Sequence, residues 1–149
     1  MLLRRSPLFL AVSVVLVAAV ATGPAHAGTQ AVSARAKVFA LVNRYRHQHG
    51  LTALAESRSV DKTAWRHSQA MASRRTLFHS ANLRTKLRTY RPSTWGENVG
   101  MGPSPWRVFK AWTKSSEHRA NMLNRRFRHA GVGVVFAHGS CWITMIFYG

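Results

Sequence analysis

The chain has 149 residues, 22 Lys and Arg against 4 Asp and Glu, a formal net charge of +18 and one cysteine. A single cysteine excludes an intramolecular disulfide framework, and the length suits one domain with its own core. The charge predicts salt-sensitive attraction to polyanions and carries no information about fold; a basic bias across the source proteome would give the same number.

Arg4 and Arg5 precede an uncharged, mostly apolar run from Leu8 to Ala21, followed by Ala25-His26-Ala27. This order predicts a secretory signal peptide over residues 1–27 and an extracellular product. The apolar run, about 14 residues, is short for a spanning helix of roughly 20, with an uncleaved anchor as the alternative. Cleavage removes Arg4 and Arg5, leaving 20 basic and 4 acidic residues, a charge of +16.

Residues 28–35 read as a flexible mature N-terminus and 36–149 as the folded domain. Val38, Leu41, Val42 and Tyr45 follow i, i+3, i+4, i+7 spacing, which predicts a helix closed by Gly50. A second helix is predicted over 57–75, with Val60, Ala64, Ser68 and Met71 on one stripe and Ser57 or Ser59 as cap. Ser80 to Thr94 reads as a long loop, and Gly96 to Gly102 as a glycine-rich loop. A third helix starts with Ser104 as cap and Pro105 at its first position, ending near Trp112. Ser115 or Ser116 caps a fourth, through "EHRANML". "GVGVVFA", a turn at His138-Gly139-Ser140 and "CWITMIFY" predict a closing hairpin. Helices first and strands last imply α+β, with helices covering a small antiparallel sheet. Trp65, Trp95, Trp106, Trp112 and Trp142 are core candidates, with groove lining as the alternative for Trp95 and Trp106. Cys141 is expected to be buried as a small apolar residue, with a dimer-forming thiol as the alternative.

"NRYRHQHGL", "LFHS", "GENVG", "AWTKSSEHRANML", "AGVGVV" and "WITMIF" together resemble, in order, motifs of bacterial members of the CAP superfamily, which includes cysteine-rich secretory proteins, antigen 5 and plant pathogenesis-related proteins. The resemblance covers about Val38 to Phe147. It implies an α-β-α sandwich, secretion, and a cleft with two His and two Glu that in some members holds a divalent metal. Carried over by motif, the first His is His79, the first Glu is Glu97 and the second His is His118. The second Glu does not transfer: Ser115 stands three residues after Trp112, where many members have it, and Glu117 is two residues further on.

Glu97 is one of only four acidic residues, so its place between Trp95-Gly96 and Asn98 asks for a reason. A carboxylate beside imidazole favours the protonated ring or orients it as a neutral metal ligand. Two imidazoles, His79 and His118, make an incomplete zinc site without a third ligand or waters. Three readings stay open: a buried polar network that pins the loops, a metal site, and a catalytic centre. Asn43, Arg46 and Asn98 are expected to tie the first helix to the cleft loops, with Asn121 beside them on the fourth.

The remaining histidines, His47, His49, His67, His129 and His138, read as structural or solvated. No H-E-x-x-H, G-x-S-x-G, P-loop or dinucleotide fingerprint is present. Arg84, Lys86, Arg88 and Arg91, around Tyr90, form the best polyanion contact, with a solvated loop as the alternative. The reading reached is a monomeric, extracellular protein binding a lipid-like or cell-envelope ligand, such as an anionic lipid or cell-wall polymer. Its alternatives are a metal-assisted hydrolase using His79 and His118 with Glu97 or Glu117, and a cationic polyanion-binding or antimicrobial protein.

Overall fold

A computed structural model describes residues 24–149. In chain order the elements are α1 (Pro24–Gln48), β1 (Ala55–Glu56), α2 (Arg58–Arg74), α3 (Leu83–Lys86), a 3-10 turn (Arg88–Tyr90), β2 (Trp95–Gly102), α4 (Pro105–Lys114), α5 (Ser116–Met122), β3 (His129–Ala137) and β4 (Ser140–Tyr148). The strands form one sheet in the order β1-β3-β4-β2, antiparallel except where two residues of β1 pair in parallel with β3.

Because side chains alternate across a strand, β4 serves both faces. Cys141, Ile143, Met145 and Phe147 pack with Val38 and Val42 of α1, Phe109 and Trp112 of α4, and Met122 of α5. On the other face Ile146 and Tyr148 pack with Val60 and Ala64 of α2, and Trp142 with Met71 and Ala72. The sheet therefore lies between two helical layers, an α+β sandwich.

One layer contact is closer than side chains would allow. A Cβ on Gly133 would lie 2.1 Å from the backbone nitrogen of Trp65 and 2.3 Å from the carbonyl carbon of Ala64, and one on Gly131 2.5 Å from the nitrogen of Asp61. The backbone of α2 thus rests directly on β3, and only glycine permits it. Polar groups fasten the seam: Val132 N–H donates to Asp61 Oδ1 at 2.7 Å, and Ser68 Oγ donates to the Gly133 carbonyl at 3.0 Å.

Several sequence expectations change. Residues 28–35 are not a flexible arm but turns of α1, where Ala34 is buried and Arg35 donates to both Glu56 and Asp61. The stretch has no apolar stripe, and Ala34 in the core and the two Arg35 ion pairs are what it contributes to the fold. Within 80–94 the chain forms α3 and the 3-10 turn, anchored by the fully buried Leu87. The glycine-rich loop is the strand β2. Its glycines are there because Gly100 lies against Val108 and Trp112, and Gly96 against Asn121 and Phe127. Trp112 and Trp142 are core, but Trp65, Trp95 and Trp106 are 44%, 38% and 45% exposed. The leader expected over 1–27 falls almost wholly outside the described residues. None of the described helices is long and apolar enough to cross a membrane.

Gly133→Ala is expected to lower stability by about 3 kcal/mol or more, since the clashing atoms are backbone. Gly28→Ala, whose added Cβ meets nothing within 4 Å, should cost none. Urea unfolding midpoints test this, and a Gly133→Ala midpoint equal to that of the native chain would contradict the seam.

Candidate functional site

β2 is one edge of the sheet, and an edge strand carries backbone groups that its single neighbour cannot satisfy. Side chains of α4 and α5 cap that edge. Trp112 Nε1 donates to the Val99 carbonyl at 2.9 Å, and Asn121 Nδ2 to the Glu97 carbonyl at 3.2 Å. Asn98, fully buried, donates to the His118 carbonyl at 3.0 Å and accepts from Asn121 at 2.9 Å. This network places His118 beside the strand that carries Glu97.

From the other side, the segment after α2 brings up His79. His67, buried on α2, lies 2.7 Å through Nε2 from the Phe78 carbonyl and packs edge-on against the Phe78 ring. A carbonyl only accepts, so Nε2 carries the proton. His79 is thereby presented next to Glu97, with Nδ1 2.9 Å from Glu97 Oε1, while the Ser80 backbone N–H donates to the same oxygen at 2.8 Å. The Glu97 side chain is 4% exposed and that of His79 is 64% exposed. A buried carboxylate must be compensated by donors, and here both go to Oε1. No described protein group donates to Glu97 Oε2 or bonds to Ser80 Oγ, and both atoms are buried.

His118 is half-buried, with its ring stacked at 9° on Trp112 and Nδ1 2.7 Å from Ser115 Oγ. Ser115 precedes α5 as its cap residue, but its hydroxyl serves His118 and no backbone N–H of the helix. Burial holds the His118 imidazole below its ordinary pKa, and the nearby His79 adds to this; the Val99 carbonyl and Glu117 pull the other way.

The structure thus joins His79, Glu97, His118, Asn98 and Ser115 in one cluster. Glu117 stands apart: it is exposed in the first turn of α5 and, among the described residues, has no hydrogen-bond or ion-pair partner. Its influence reaches the cluster only through the charge felt by His118. Asn43 does not reach the cleft; its side chain makes a two-way clamp on the Leu54 backbone, at 2.8 and 3.1 Å. Arg46 is likewise buried elsewhere, donating to the carbonyls of Thr52, Met122, Asn124 and Phe127. Of the basic residues, Arg84, Arg88 and Arg91 line one groove, whereas Lys86 lines a neighbouring hollow with Thr63, Arg66 and Ala70. His67, set aside in the sequence as structural, is the positioning residue for the His79 segment, and Trp112 is both core and cleft wall. No spacing rule would have found either, because both act through backbone carbonyls distant in sequence. Cys141 is buried, its Sγ 3.2 Å from the Gly102 carbonyl, and burial pushes the thiol up.

The donor set does not complete a metal site. His79 and His118 each have Nδ1 engaged, and the Val99 carbonyl also draws on the His118 ring. Among the described residues no group of three His, Cys, Asp or Glu is arranged to hold an ion. A zinc site wants at least three protein ligands.

The description of the cysteine-rich secretory protein family, CAP, matches residues 39–147. The protein YkwD of Bacillus subtilis is 36% identical over 120 residues, which is 76% of this chain and 46% of that protein. Among solved structures, an extracellular SCP-domain protein of Bacillus anthracis superposes with a TM-score of 0.76 at 23% identity, over 87% of this chain and 45% of its own. A cysteine-rich secretory protein of Staphylococcus aureus does so with a TM-score of 0.68 at 22% identity, over 80% of this chain and 39% of its own. This chain spans less than half the length of each of these three. The two structures establish likeness of fold.

The depressed His118 pKa fixes a pH dependence. The unfolded ring takes a proton near pH 6.5 and the folded ring only at lower pH, so between those values the unfolded state binds more protons. Stability should therefore fall as pH drops below about 6.5, levelling once the folded ring protonates. His118→Gln should remove that slope. Ring-proton NMR titration checks the cause: a His118 midpoint at or above the ordinary imidazole value of about 6.5 would contradict it.

Proposed function

The chain belongs to the cysteine-rich secretory protein (CAP) family in its bacterial form, and on that premise we propose an exported, monomeric binding protein whose cleft at His79, Glu97 and His118 takes a hydroxyl- or amide-bearing ligand of the cell envelope. The observation that carries this reading is the exposed His79 ring held 2.9 Å from the buried Glu97 carboxylate, whose Oε2 receives no bond from any described protein group. A carboxylate oxygen in that position asks for a donor, and leaving it unmatched costs on the order of 1–3 kcal/mol. An acyl chain offers no donor, so a glycan or peptide of the wall suits the cleft better than a lipid tail does. Neutral His118 and the outward Nε2 of His79 add an acceptor or donor on either side. Residues 1–27 would act as the export signal, and the description of the Bacillus anthracis neighbour as extracellular agrees with it.

Hydrolysis is a second reading, supported by the His79 imidazole held 2.9 Å from the buried Glu97 carboxylate and by His118 close by. The binding reading is preferred because among the described residues no group of three His, Cys, Asp or Glu is arranged to hold the ion that a metal-assisted hydrolysis would use.

Glu97→Gln is the direct test. It keeps an oxygen for Ser80 and His79 but replaces Oε2 by an amide that donates. Co-sedimentation with peptidoglycan sacculi stripped of anionic polymers should show binding by the native protein and at least about ten-fold weaker binding by the variant, with unchanged circular dichroism. Equal binding by a folded variant would remove the cleft from the account, and release of soluble fragments by the native protein alone would favour hydrolysis.

A further inference from the structure

The segment between α2 and β2 builds a second surface. Leu87, fully buried among Val60, Ala64, Ile146 and Tyr148, anchors it to the sheet. The backbone N–H groups of Ser93 and Thr94 both donate to the Gly149 carbonyl, which fixes its exit. Between these anchors Arg84, Arg88 and Arg91, all exposed, line one groove with Thr85 and Pro92. Among the described residues none of the three has a carboxylate partner; the ion pairs there involve Arg35 and His79. Three exposed guanidinium groups gathered in one groove on an ordered scaffold make a local concentration of positive charge that suits an anionic ligand.

The aromatic residues beside the groove say which anion. Trp95, Tyr148 and His129 stand directly opposite one another across β2, β4 and β3. Tyr148 is packed between the rings of His129, at 4.9 Å and 15°, and Tyr90, at 5.0 Å. Arg84 covers the Trp95 ring at 5.5 Å. These rings are occupied by each other and by an arginine. They stiffen the groove and aim a guanidinium; Tyr90 and Trp95 keep part of their rings exposed, but each already has a ring or an arginine against it, which falls short of the run of open faces on which successive bases stack. What remains for a ligand is a row of planar forks that match phosphate oxygens.

We propose that the groove of Arg84, Arg88 and Arg91 binds a phosphodiester-linked polyol or sugar polymer of the cell envelope, as a site separate from the His79–Glu97–His118 cleft. The choice of an envelope polymer rests on the export reading above; the choice of phosphodiester rests on the groove itself.

The test measures binding of fluorescent poly(glycerol phosphate) by anisotropy at several salt concentrations. It compares the native protein, R84Q/R88Q/R91Q, an equal charge loss elsewhere in R44Q/R107Q/K114Q, and Glu97→Gln, all with matching melting temperatures. The groove variant should bind at least about ten-fold more weakly, and its salt slope should fall by about two, at about 0.7 per phosphate contact. The distant variant should change less than about three-fold, and Glu97→Gln should bind as the native protein does. Equal losses in the two triple variants would overturn the site in favour of diffuse charge. Loss in Glu97→Gln would overturn its separateness from the cleft. Equally tight binding of a single-stranded oligonucleotide with the same phosphate count would overturn the ligand class. Failure of the sacculus assay with success here would leave this site standing and remove only the cleft reading.

Discussion

The seating of α2 on β3 is the constraint on which the site depends. Gly131 and Gly133 let a helix backbone touch a strand backbone, and that contact sets the depth at which every α2 side chain meets the sheet. Ser68 then reaches both the Gly133 carbonyl and the Thr144 hydroxyl. His67, on the same helix, reaches the Phe78 carbonyl and so presents His79 and Ser80 to Glu97. A helix displaced outward by one methyl group would loosen that chain of contacts before it disturbed the apolar core.

Arg46 fixes the opposite wall. It is 1% exposed and binds four backbone carbonyls in two segments, with no carboxylate among its partners. Burial, and then Arg128, push its pKa down, yet a guanidinium stays charged in proteins. The carbonyl dipoles must therefore carry the desolvation cost. In return Arg46 ties α1 to the stretch from Met122 to Phe127, which fixes the end of α5 and with it Asn121 and His118. The two walls close on β2, the edge strand, where backbone acceptors at Glu97 and Val99 are taken by Asn121 and Trp112. The cleft is thus a consequence of covering a sheet edge with polar side chains. The few acids follow the same logic: Glu56 and Asp61 serve Arg35, and Glu97 serves His79 and Ser80. Most of the basic surface is consequently left unneutralised.

What the sequence made legible follows from how local each cause is. The apolar stripes of α1 and α2, the Ser104-Pro105 start of α4 and the alternation in the final hairpin are read within a few residues, and all appear in the structure. Ser104 Oγ does accept from the Arg107 N–H. His79, Glu97 and His118 were found through the family motifs, and the structure assembles them. The strand β2 was hidden because its glycines, normally weak strand formers, are required by Trp112 and Asn121, which arrive later in the chain. The helical turns before residue 36 were hidden because Arg35 finds its partners 21 and 26 residues away. Asn43 and Arg46 were read as tying the first helix to the cleft loops; Arg46 does bond the stretch after α5, whereas Asn43 clamps Leu54, since a donor's partner cannot be read from its own neighbourhood.

The central claim is that the His79–Glu97–His118 cluster takes a ligand. Titrating 15N-labelled protein with soluble muropeptides, while following the backbone amides, tests it most directly. The account predicts saturable shifts confined to Ser80, Glu97, Asn98 and His118, absent in Glu97→Gln. Shifts spread over the basic surface with those four unmoved would contradict it.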